Sequence, residues 1–185
     1  MNSDLTETQL SSKNVYDGRL LHVREDRVTL PNGKEATREY IVHPGAVVVV
    51  PLLENGDILM VRQFRYPLRH EFLELPAGKI DAGEDTLLCG QRELLEETGF
   101  VAGSWHYLTT LHPCIGYSDE RILLYLARDL SERGHQRDED EFLDNQRMPL
   151  AQALESVRDG RISDVKTIIG LFWAEKFIRQ EWVAG

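Results

Sequence analysis

Three glutamates near the end of a predicted helix are the residues of this chain best placed to do chemistry. Residues 87–98 have the pattern of a helix that ends at Gly99, and its last turns carry Glu93, Glu96 and Glu97. The spacing i, i+3, i+4 places the three carboxylates on one helical face. Acids are unfavourable at the C-terminal end of a helix, and like charges four residues apart repel by about 0.2–0.5 kcal/mol. The cluster therefore either has a cationic partner or forms a solvated acidic face.

Hard divalent cations are the partners that such a cluster would suit. Mg²⁺ and Mn²⁺ prefer oxygen ligands, and a bound ion would cancel the repulsion between the carboxylates. On the helix alone a solvated acidic face explains the pattern equally well, because glutamate pairs are common on exposed helices. The residues that surround the helix favour the metal site.

The spacing around the glutamates follows a known motif. Gly78, five residues, Glu84, seven residues and then R-E-L-L-E-E-T-G-F at 92–100 match the Nudix box, G-x5-E-x7-R-E-U-x-E-E-x-G-U with U apolar, at every specified position. The chain thus resembles the Nudix hydrolases, which use a divalent metal to cleave a nucleoside diphosphate linked to another moiety. The resemblance implies an α/β/α sandwich around a mixed sheet, with the motif as a loop–helix–loop.

The resemblance also implies which residues bind the metal. Glu93 and Glu97 match the principal ligands of the family, and Glu96 matches a frequent further ligand. The carbonyl of Ala77, which precedes the opening glycine Gly78, is expected to bind the metal as well. Together these oxygens would activate water and polarise the diphosphate.

Two further motif residues are expected to support this site. Glu84 matches the acid that supports it from the preceding loop. Arg92 matches the arginine that orients the glutamates through charge-assisted hydrogen bonds.

Sequence outside the motif resembles the ADP-ribose pyrophosphatase branch of the family. The similar stretches are HPG at 43–45, VRQFR at 61–65, EFLELPAGKIDAGED at 71–85, Pro113 and DGRISDVKTIIGLFWAEKF at 159–177. This branch implies a homodimer that converts ADP-ribose and water into AMP and ribose 5-phosphate with Mg²⁺, for which Mn²⁺ can substitute. GDP-mannose hydrolases share many of these stretches, so GDP-mannose or another nucleotide sugar is an alternative substrate. A non-catalytic nucleotide sensor is a third alternative, which the complete set of motif residues disfavours.

In this branch the catalytic base lies outside the motif, in an acidic loop before the last helices. The matching positions are Glu139 and Glu141, within D-E-D-E-F at 138–142. Glu141 is favoured as base, and as a further metal ligand, because it directly precedes the apolar Phe142, which is expected to anchor the loop. The alternative is a solvated run of charge.

Substrate binding is expected to use arginines and an aromatic slot. Arg65 and Arg38 match substrate-contacting positions of the branch, and arginine suits bidentate phosphate contacts. A surface salt bridge is an equally good explanation for Arg38. Phe64, Tyr40 and Tyr16 are candidates to hold the adenine, although aromatic residues more often pack in a core.

Short strands and helices must position these residues. Strands are predicted at 46–52, 58–61 with an extension to 65, 72–75, 105–111 and 121–128, and further helices at 150–159 and 164–181. The pattern favours a mixed sheet covered by helices. Residues 15–43, with a turn at 31–33, predict an antiparallel hairpin or short meander that must pack on the main body, on a partner subunit or on both. The resemblance to the ADP-ribose pyrophosphatase branch implies that it reaches the partner subunit and helps to form its site. We therefore expect a flexible tail at 1–14, a dimerisation extension at 15–43 and a Nudix domain at 44–185.

Composition limits the kinds of partner. The 185 residues carry a formal net charge of −10, which argues against binding to nucleic-acid backbones. The longest apolar run is too short to span a membrane, and the N-terminal residues lack a signal-peptide core. The two cysteines form no metal or disulfide motif, which fits a reducing cytoplasm.

Overall fold

The computed structural model describes residues 4–134 and 142–182. These residues form two compact units. The first comprises the chain up to Pro44 together with Cys114–Arg121, and the second comprises Gly45–Pro113 and the chain from Ile122 onward. The segment Cys114–Arg121 is thus part of the first compact unit, and the division of the sequence into a tail, an extension and a Nudix domain stays a prediction.

The first unit is built on a three-stranded antiparallel meander. Its strands are β1 (Thr8–Asp17), β2 (His22–Thr29) and β3 (Glu35–Val42), in the order β1-β2-β3. Gly33 has a φ of 79° in the predicted turn, a conformation that glycine adopts without strain. Strand β1 begins at Thr8, within the residues predicted as a flexible tail, and pairs with β2 along its length. The sequence did not indicate this strand because all its side chains are exposed, so they form no buried apolar pattern.

The described residues of the second unit form seven strands in two sheets. The strands are β4 (Ala46–Pro51), β5 (Asp57–Arg65), β6 (His70–Glu74), β7 (Ala77–Lys79), β8 (Phe100–Leu111), β9 (Ile122–Glu132) and β10 (Leu143–Pro149). One sheet has the order β7-β4-β9-β8 and the other β10-β5-β6. Strands β4 and β9 are parallel, whereas their other pairings are antiparallel, so the predicted mixed sheet is confirmed.

Within the part of the chain that the structure describes, three α-helices accompany these sheets: α1 (Thr86–Thr98), α2 (Leu150–Arg158) and α3 (Val165–Ile178). Alternate residues of β4 contact different helices, because successive side chains of a strand point to opposite faces. Val47 and Val49 pack in one buried cluster with Leu94 of α1. Val48 and Val50 pack in the other cluster with Leu171 of α3. Helices α1 and α3 therefore cover opposite faces of the sheet, which confirms the predicted α/β/α arrangement.

Helix α1 is fixed at both ends and at its middle. The Asp85 carboxylate accepts hydrogen bonds from the amides of Leu87 and Leu88 at 2.9 and 3.2 Å, and Gly99 ends the helix with a φ of 77°. A Cβ at Gly90 would lie 3.2 Å from Val47, so this glycine lets the helix approach the sheet closely. No helix among the described residues is long and apolar enough to cross a membrane.

Candidate active site

The predicted metal-ligand glutamates lie where α1 faces strand β7. Glu93 and Glu97 are 8% and 5% exposed. The amide of Ala77 donates a hydrogen bond of 3.0 Å to Glu97 Oε2. A solvated acidic face is therefore excluded for these two residues, since burial of a carboxylate requires compensating partners. Glu96 is partly exposed at the rim of the same helix face.

Gly78 leaves the space that Glu93 occupies. A Cβ at this position would lie 1.8 Å from Glu93 Oε1 and 1.9 Å from its Cδ. Any side chain at residue 78 would thus displace the carboxylate. This clash explains why the motif opens with glycine. Without a side chain at this position, the backbone of β7 lies directly against the acids.

Arg92 joins three of the four motif glutamates. Its Nε and Nη2 donate to the two carboxylate oxygens of Glu84 at 2.9 and 3.0 Å. Its Nη1 donates to Glu93 Oε1 at 2.7 Å and to Glu96 Oε2 at 3.1 Å. The repulsion expected from the helix pattern is therefore offset by one guanidinium placed among the carboxylates.

The electrostatics of this network favour its ionised form. Hydrogen bonds from Arg92 and from the Asp81 amide lower the pKa of Glu84 to about 2. The hydrogen bonds to Glu84 are also the main reason that the pKa of Arg92 is raised above its ordinary value. Burial raises the pKa of the neighbouring Cys89 thiol to about 12, and the charges of Glu84 and Glu93 add to this rise. Cys89 is thus a neutral packing residue.

The donors around α1 have the chemistry that a divalent cation requires. Carboxylate oxygens and a backbone carbonyl are hard ligands, and the absence of a side chain at Gly78 keeps β7 next to Glu93. Within residues 4–134 and 142–182, however, no three acidic, histidine or cysteine side chains converge on a common point suited to a metal. Glu93 and Glu96 bind Arg92 and Glu97 binds the Ala77 amide, and the metal-binding role of these three carboxylates stays a prediction.

The predicted substrate arginines lie in different units. Arg65, in β5, donates from Nε and Nη2 to the two oxygens of the buried Glu74, both at 2.7 Å. Arg38, in the first unit, donates from Nε to Glu7 Oε2 at 2.9 Å and from Nη2 to Glu7 Oε1. The surface salt bridge that was the alternative for Arg38 is thus present.

The candidate adenine residues differ in exposure. Phe64 and Tyr16 are largely exposed. The hydroxyl of Tyr40 donates to Asp26 Oδ2 at 3.2 Å and is partly buried in the first unit. Phe64 and Tyr16 thus have the free ring surface that stacking on a base requires.

Glu139 and Glu141, the candidate bases, lie outside the described residues. Their neighbour Phe142 is 84% exposed, so the prediction that it anchors the acidic loop is wrong. Leu143 is buried instead, as the first residue of β10, and it pairs with Gln63 of β5.

Two charged residues beside Arg65 were not identified from the sequence. Glu74 is 2% exposed, and it accepts hydrogen bonds from Lys166 of α3 as well as from Arg65. The available signal was an acid within the apolar strand pattern at 72–75. Its partner could not be identified because Lys166 lies 92 residues further along the chain.

Known proteins share this sequence and fold. Residues 42–168 match the family described as NUDIX domain, and residues 7–41 match the one described as nucleoside diphosphate sugar hydrolase N-terminal domain. A methanol dehydrogenase activator from Bacillus methanolicus is 38% identical over 167 residues, which cover 89% of this chain and 90% of that protein. An ADP-ribose pyrophosphatase from Bacillus subtilis (strain 168) is 38% identical over 165 residues, covering 88% and 89%. A crystal structure of an ADP compounds hydrolase matches with a TM-score of 0.87 at 26% identity, covering 97% of this chain and 98% of that one.

Proposed function

This chain belongs to the Nudix family, and from that premise we propose that it hydrolyses the diphosphate of a nucleoside diphosphate sugar, with ADP-ribose as the substrate. A water oxygen bonds to one phosphorus while the bond from that phosphorus to the bridging oxygen breaks, giving AMP and ribose 5-phosphate. The observation that carries the proposal is the Arg92 network, which holds Glu84, Glu93 and Glu96 beside strand β7. The match of residues 7–41 to a nucleoside diphosphate sugar hydrolase domain supports the substrate class.

The residues on this face of α1 fit a magnesium ion, for which manganese can substitute. Glu93 and Glu97, with Glu96 and the Ala77 carbonyl, would hold it. When bound, the ion supplies positive charge that stabilises the diphosphate in the transition state and favours ionisation of the attacking water. Arg92 keeps the carboxylates ionised and oriented.

Other side chains would bind and orient the substrate. Arg65 and Arg38 are proposed to contact the phosphates and sugar, and Gly78 brings the β7 backbone close to the reacting group. Phe64 is proposed to pack against the adenine, since much of its ring is exposed. Held in this way, the diphosphate would be oriented for attack by water.

Glu141 is proposed to take the proton from the attacking water, with Glu139 as the alternative. Replacing the true base by glutamine removes a step that general bases accelerate by about 10²–10⁴-fold. We therefore expect Glu141→Gln to lower kcat by that factor and Glu139→Gln to lower it by much less. Rates measured with both variants under saturating metal decide between the two residues, and a reversed order would assign the base to Glu139.

The protein is proposed to be a cytoplasmic homodimer. Its two cysteines are free thiols, as a reducing compartment would keep them. The first unit exposes a set of apolar side chains, which a second copy of the chain would cover. These side chains are Leu5, Leu10, Val15, Tyr16, Leu20 and Leu21.

A substrate panel tests the proposed reaction. The purified chain is incubated with Mg²⁺ and with ADP-ribose, GDP-mannose or another nucleotide sugar, and phosphate-containing products are separated and identified. AMP and ribose 5-phosphate from ADP-ribose, lost on adding EDTA, are the expected result. Cleavage of GDP-mannose with ADP-ribose untouched would overturn the substrate assignment, and tight binding without cleavage would identify a sensor.

A further inference from the structure

A network of charged side chains binds the Nε and Nη2 edge of the Arg65 guanidinium. Glu74 accepts one hydrogen bond from Arg65 on each carboxylate oxygen, both at 2.7 Å. Lys166 donates from Nζ to Glu74 Oε2, and also to Asp164 Oδ2 at 2.9 Å. Two cations and two anions therefore balance, and the side chains of Glu74 and Lys166 are only 3% and 13% exposed. Burying these four charges costs solvation free energy, which can exceed the attraction between them. A purely stabilising role therefore does not account for the network.

The same network ties the start of α3 to the segment that leads into β7. Asp164 begins the helix by accepting from the Thr167 amide at 3.0 Å, and it also accepts from the Thr167 hydroxyl at 2.6 Å. That hydroxyl accepts a hydrogen bond of 2.9 Å from the amide of Leu75. Leu75 lies between Glu74 and the predicted metal ligand Ala77. Residues 159–177, which resemble the pyrophosphatase branch, therefore include the side chains that anchor the segment leading into β7.

Glu74 leaves one end of the Arg65 guanidinium available. Nε and Nη2 both donate to Glu74, whereas Nη1 donates to none of the residues that the structure describes. The Arg65 side chain is 42% exposed, and it lines a recess of about 490 Å³ together with Leu68, Phe72 and Val165. Glu74 and Lys166 border the same recess. Hydrogen bonds to Glu74 raise the pKa of Arg65, and the charge of Glu97 adds to this rise. Arg65 is therefore within electrostatic range of the Glu97 carboxylate on α1.

We propose that Glu74 and Lys166 are positioning residues, which fix Arg65 so that its Nη1 donates to a phosphate or sugar oxygen of substrate bound at this recess. Lys166 neutralises the charge on Glu74 Oε2, which also accepts a hydrogen bond from Arg65. The inference rests on the proposed function, because it concerns the same diphosphate. It assigns substrate affinity to two side chains that act through Arg65, although both also border the recess.

A double-mutant cycle on Arg65 and Glu74 tests the proposal. Glu74→Gln presents an amide donor to the arginine, so we expect KM for ADP-ribose to rise about 10- to 100-fold, as for a lost hydrogen bond to a charged group. We expect kcat to change by less than about threefold, because the metal-binding carboxylates stay in place. In an Arg65→Ala background the same Glu74→Gln change should leave KM unaltered. An equal rise of KM in both backgrounds would overturn the proposal, because Glu74 would then act without Arg65.

A neighbouring ion pair provides the matched control. Glu71 lies on the same strand as Glu74 and accepts a hydrogen bond of 2.8 Å from Arg62 of β5, but this pair is exposed. Glu71→Gln should therefore leave KM and kcat unchanged. A rise of KM as large as that of Glu74→Gln would show a general loss of surface charge and would contradict the inference.

Lys166 offers a second route if Glu74→Gln does not fold. Lys166→Met keeps the length of the side chain and removes its charge, and we expect a several-fold rise of KM that disappears in the Arg65→Ala background. Lys166→Arg, which restores the charge, should recover part of the affinity. Equal KM values for Lys166→Met and the unchanged protein would exclude Lys166 from the positioning role.

Binding of a non-hydrolysable substrate separates this inference from the proposed reaction. Calorimetry with the α,β-methylene analogue of ADP-ribose and Mg²⁺ gives Kd values for all four members of the cycle. Non-additive Kd values without any turnover would support the positioning role while overturning the hydrolase assignment. Turnover with additive Kd values would do the reverse, and failure of the unchanged protein to bind the analogue would overturn both.

Discussion

At the scale of single residues, the structure separates glutamates that hold the site from those that would do its chemistry. Glu84 accepts two hydrogen bonds from Arg92, through Nε and Nη2, whereas Glu93 and Glu96 accept from Nη1. Glu97 instead binds the backbone of β7. We therefore expect substitution of Glu97 to affect turnover and substitution of Glu84 to affect stability.

Glu97→Gln is expected to affect turnover and not folding. The neutral amide oxygen can still accept from the Ala77 amide, but it is a poor ligand for a hard cation. We expect metal-dependent hydrolysis to fall at least ~100-fold, since altering even the groups that support a metal site costs 10–100-fold. Thermal unfolding in EDTA should show equal or higher stability, because one buried charge is removed. A clearly lower melting temperature in EDTA would instead identify Glu97 as a structural residue.

Glu84→Gln is expected to lower stability in a pH-dependent way. The folded-state pKa of Glu84 is about 2, below its ordinary value of 4.5, so its ionised form contributes stability that is present above pH 4.5. This contribution is lost as the pH falls towards 2. We expect the variant to be about 1–2 kcal/mol less stable at pH 7, as for a partly exposed charged hydrogen bond.

Urea unfolding of both proteins between pH 2.5 and 7 measures this difference. The two stabilities should converge as the pH falls below 4.5. The exposed turn residue Glu54 provides a control, since Glu54→Gln should give a curve parallel to that of the unchanged protein. A stability gap for Glu84→Gln that persists unchanged to pH 2.5 would contradict the assignment.

At the scale of secondary-structure elements, strand β7 sets the geometry of the acids through Gly78. In Gly78→Ala the new Cβ would overlap the Glu93 carboxylate, which must then move. We expect activity to fall about 100-fold, the cost of misplacing a reacting group by about 1 Å. Steady-state rates with Mg²⁺ measure this loss, and unchanged activity would show that the backbone of β7 can move away.

Gly56 provides a control that distinguishes this clash from the effect of backbone strain alone. Gly56, in the turn before β5, has a φ of 85° and no atom within 4 Å of a Cβ built on it. Gly56→Ala should therefore lose about 1 kcal/mol of stability from its left-handed conformation. Its kcat and KM should match those of the unchanged protein.

The elements also show what the sequence could predict. Strands β4, β5, β8 and β9 and the three helices of the described residues follow apolar patterns and lie close to the predicted positions, although β8 begins five residues earlier and β9 ends four residues later than predicted. Strand β7 was not predicted, because its three residues carry no alternating pattern and its pairing with β4 decides its conformation. The acids of the site followed from motif spacing. The link between Glu74 and Lys166 did not, because it depends on tertiary contact between β6 and α3.

At the scale of the whole molecule, the prominent feature is the apolar surface of the N-terminal unit. All ten residues of β1 are exposed, including Leu10, Val15 and Tyr16, and isolated three-stranded sheets need a packed face for stability. We expect light scattering after gel filtration to give twice the chain mass of 21.2 kDa. Val15→Glu combined with Leu21→Glu should shift the protein towards monomer, because burying unpaired charge is costly.

Phe172→Glu supplies the control for this prediction. Phe172 is comparably exposed but lies on α3 in the second unit. This variant should keep the mass of the unchanged protein. A monomer for the unchanged protein, or equal dissociation by both kinds of variant, would contradict dimerisation through the N-terminal unit.

The contrast between the two thiols has a practical consequence. Cys89 is fully buried, and burial raises its pKa to about 12, whereas Cys114 is partly accessible. Maleimide and iodoacetamide reagents attack the thiolate, so near neutral pH they should modify Cys114 first. The native chain thus carries its own attachment point for a fluorophore or spin label, in the loop segment of the first unit, without any engineered cysteine.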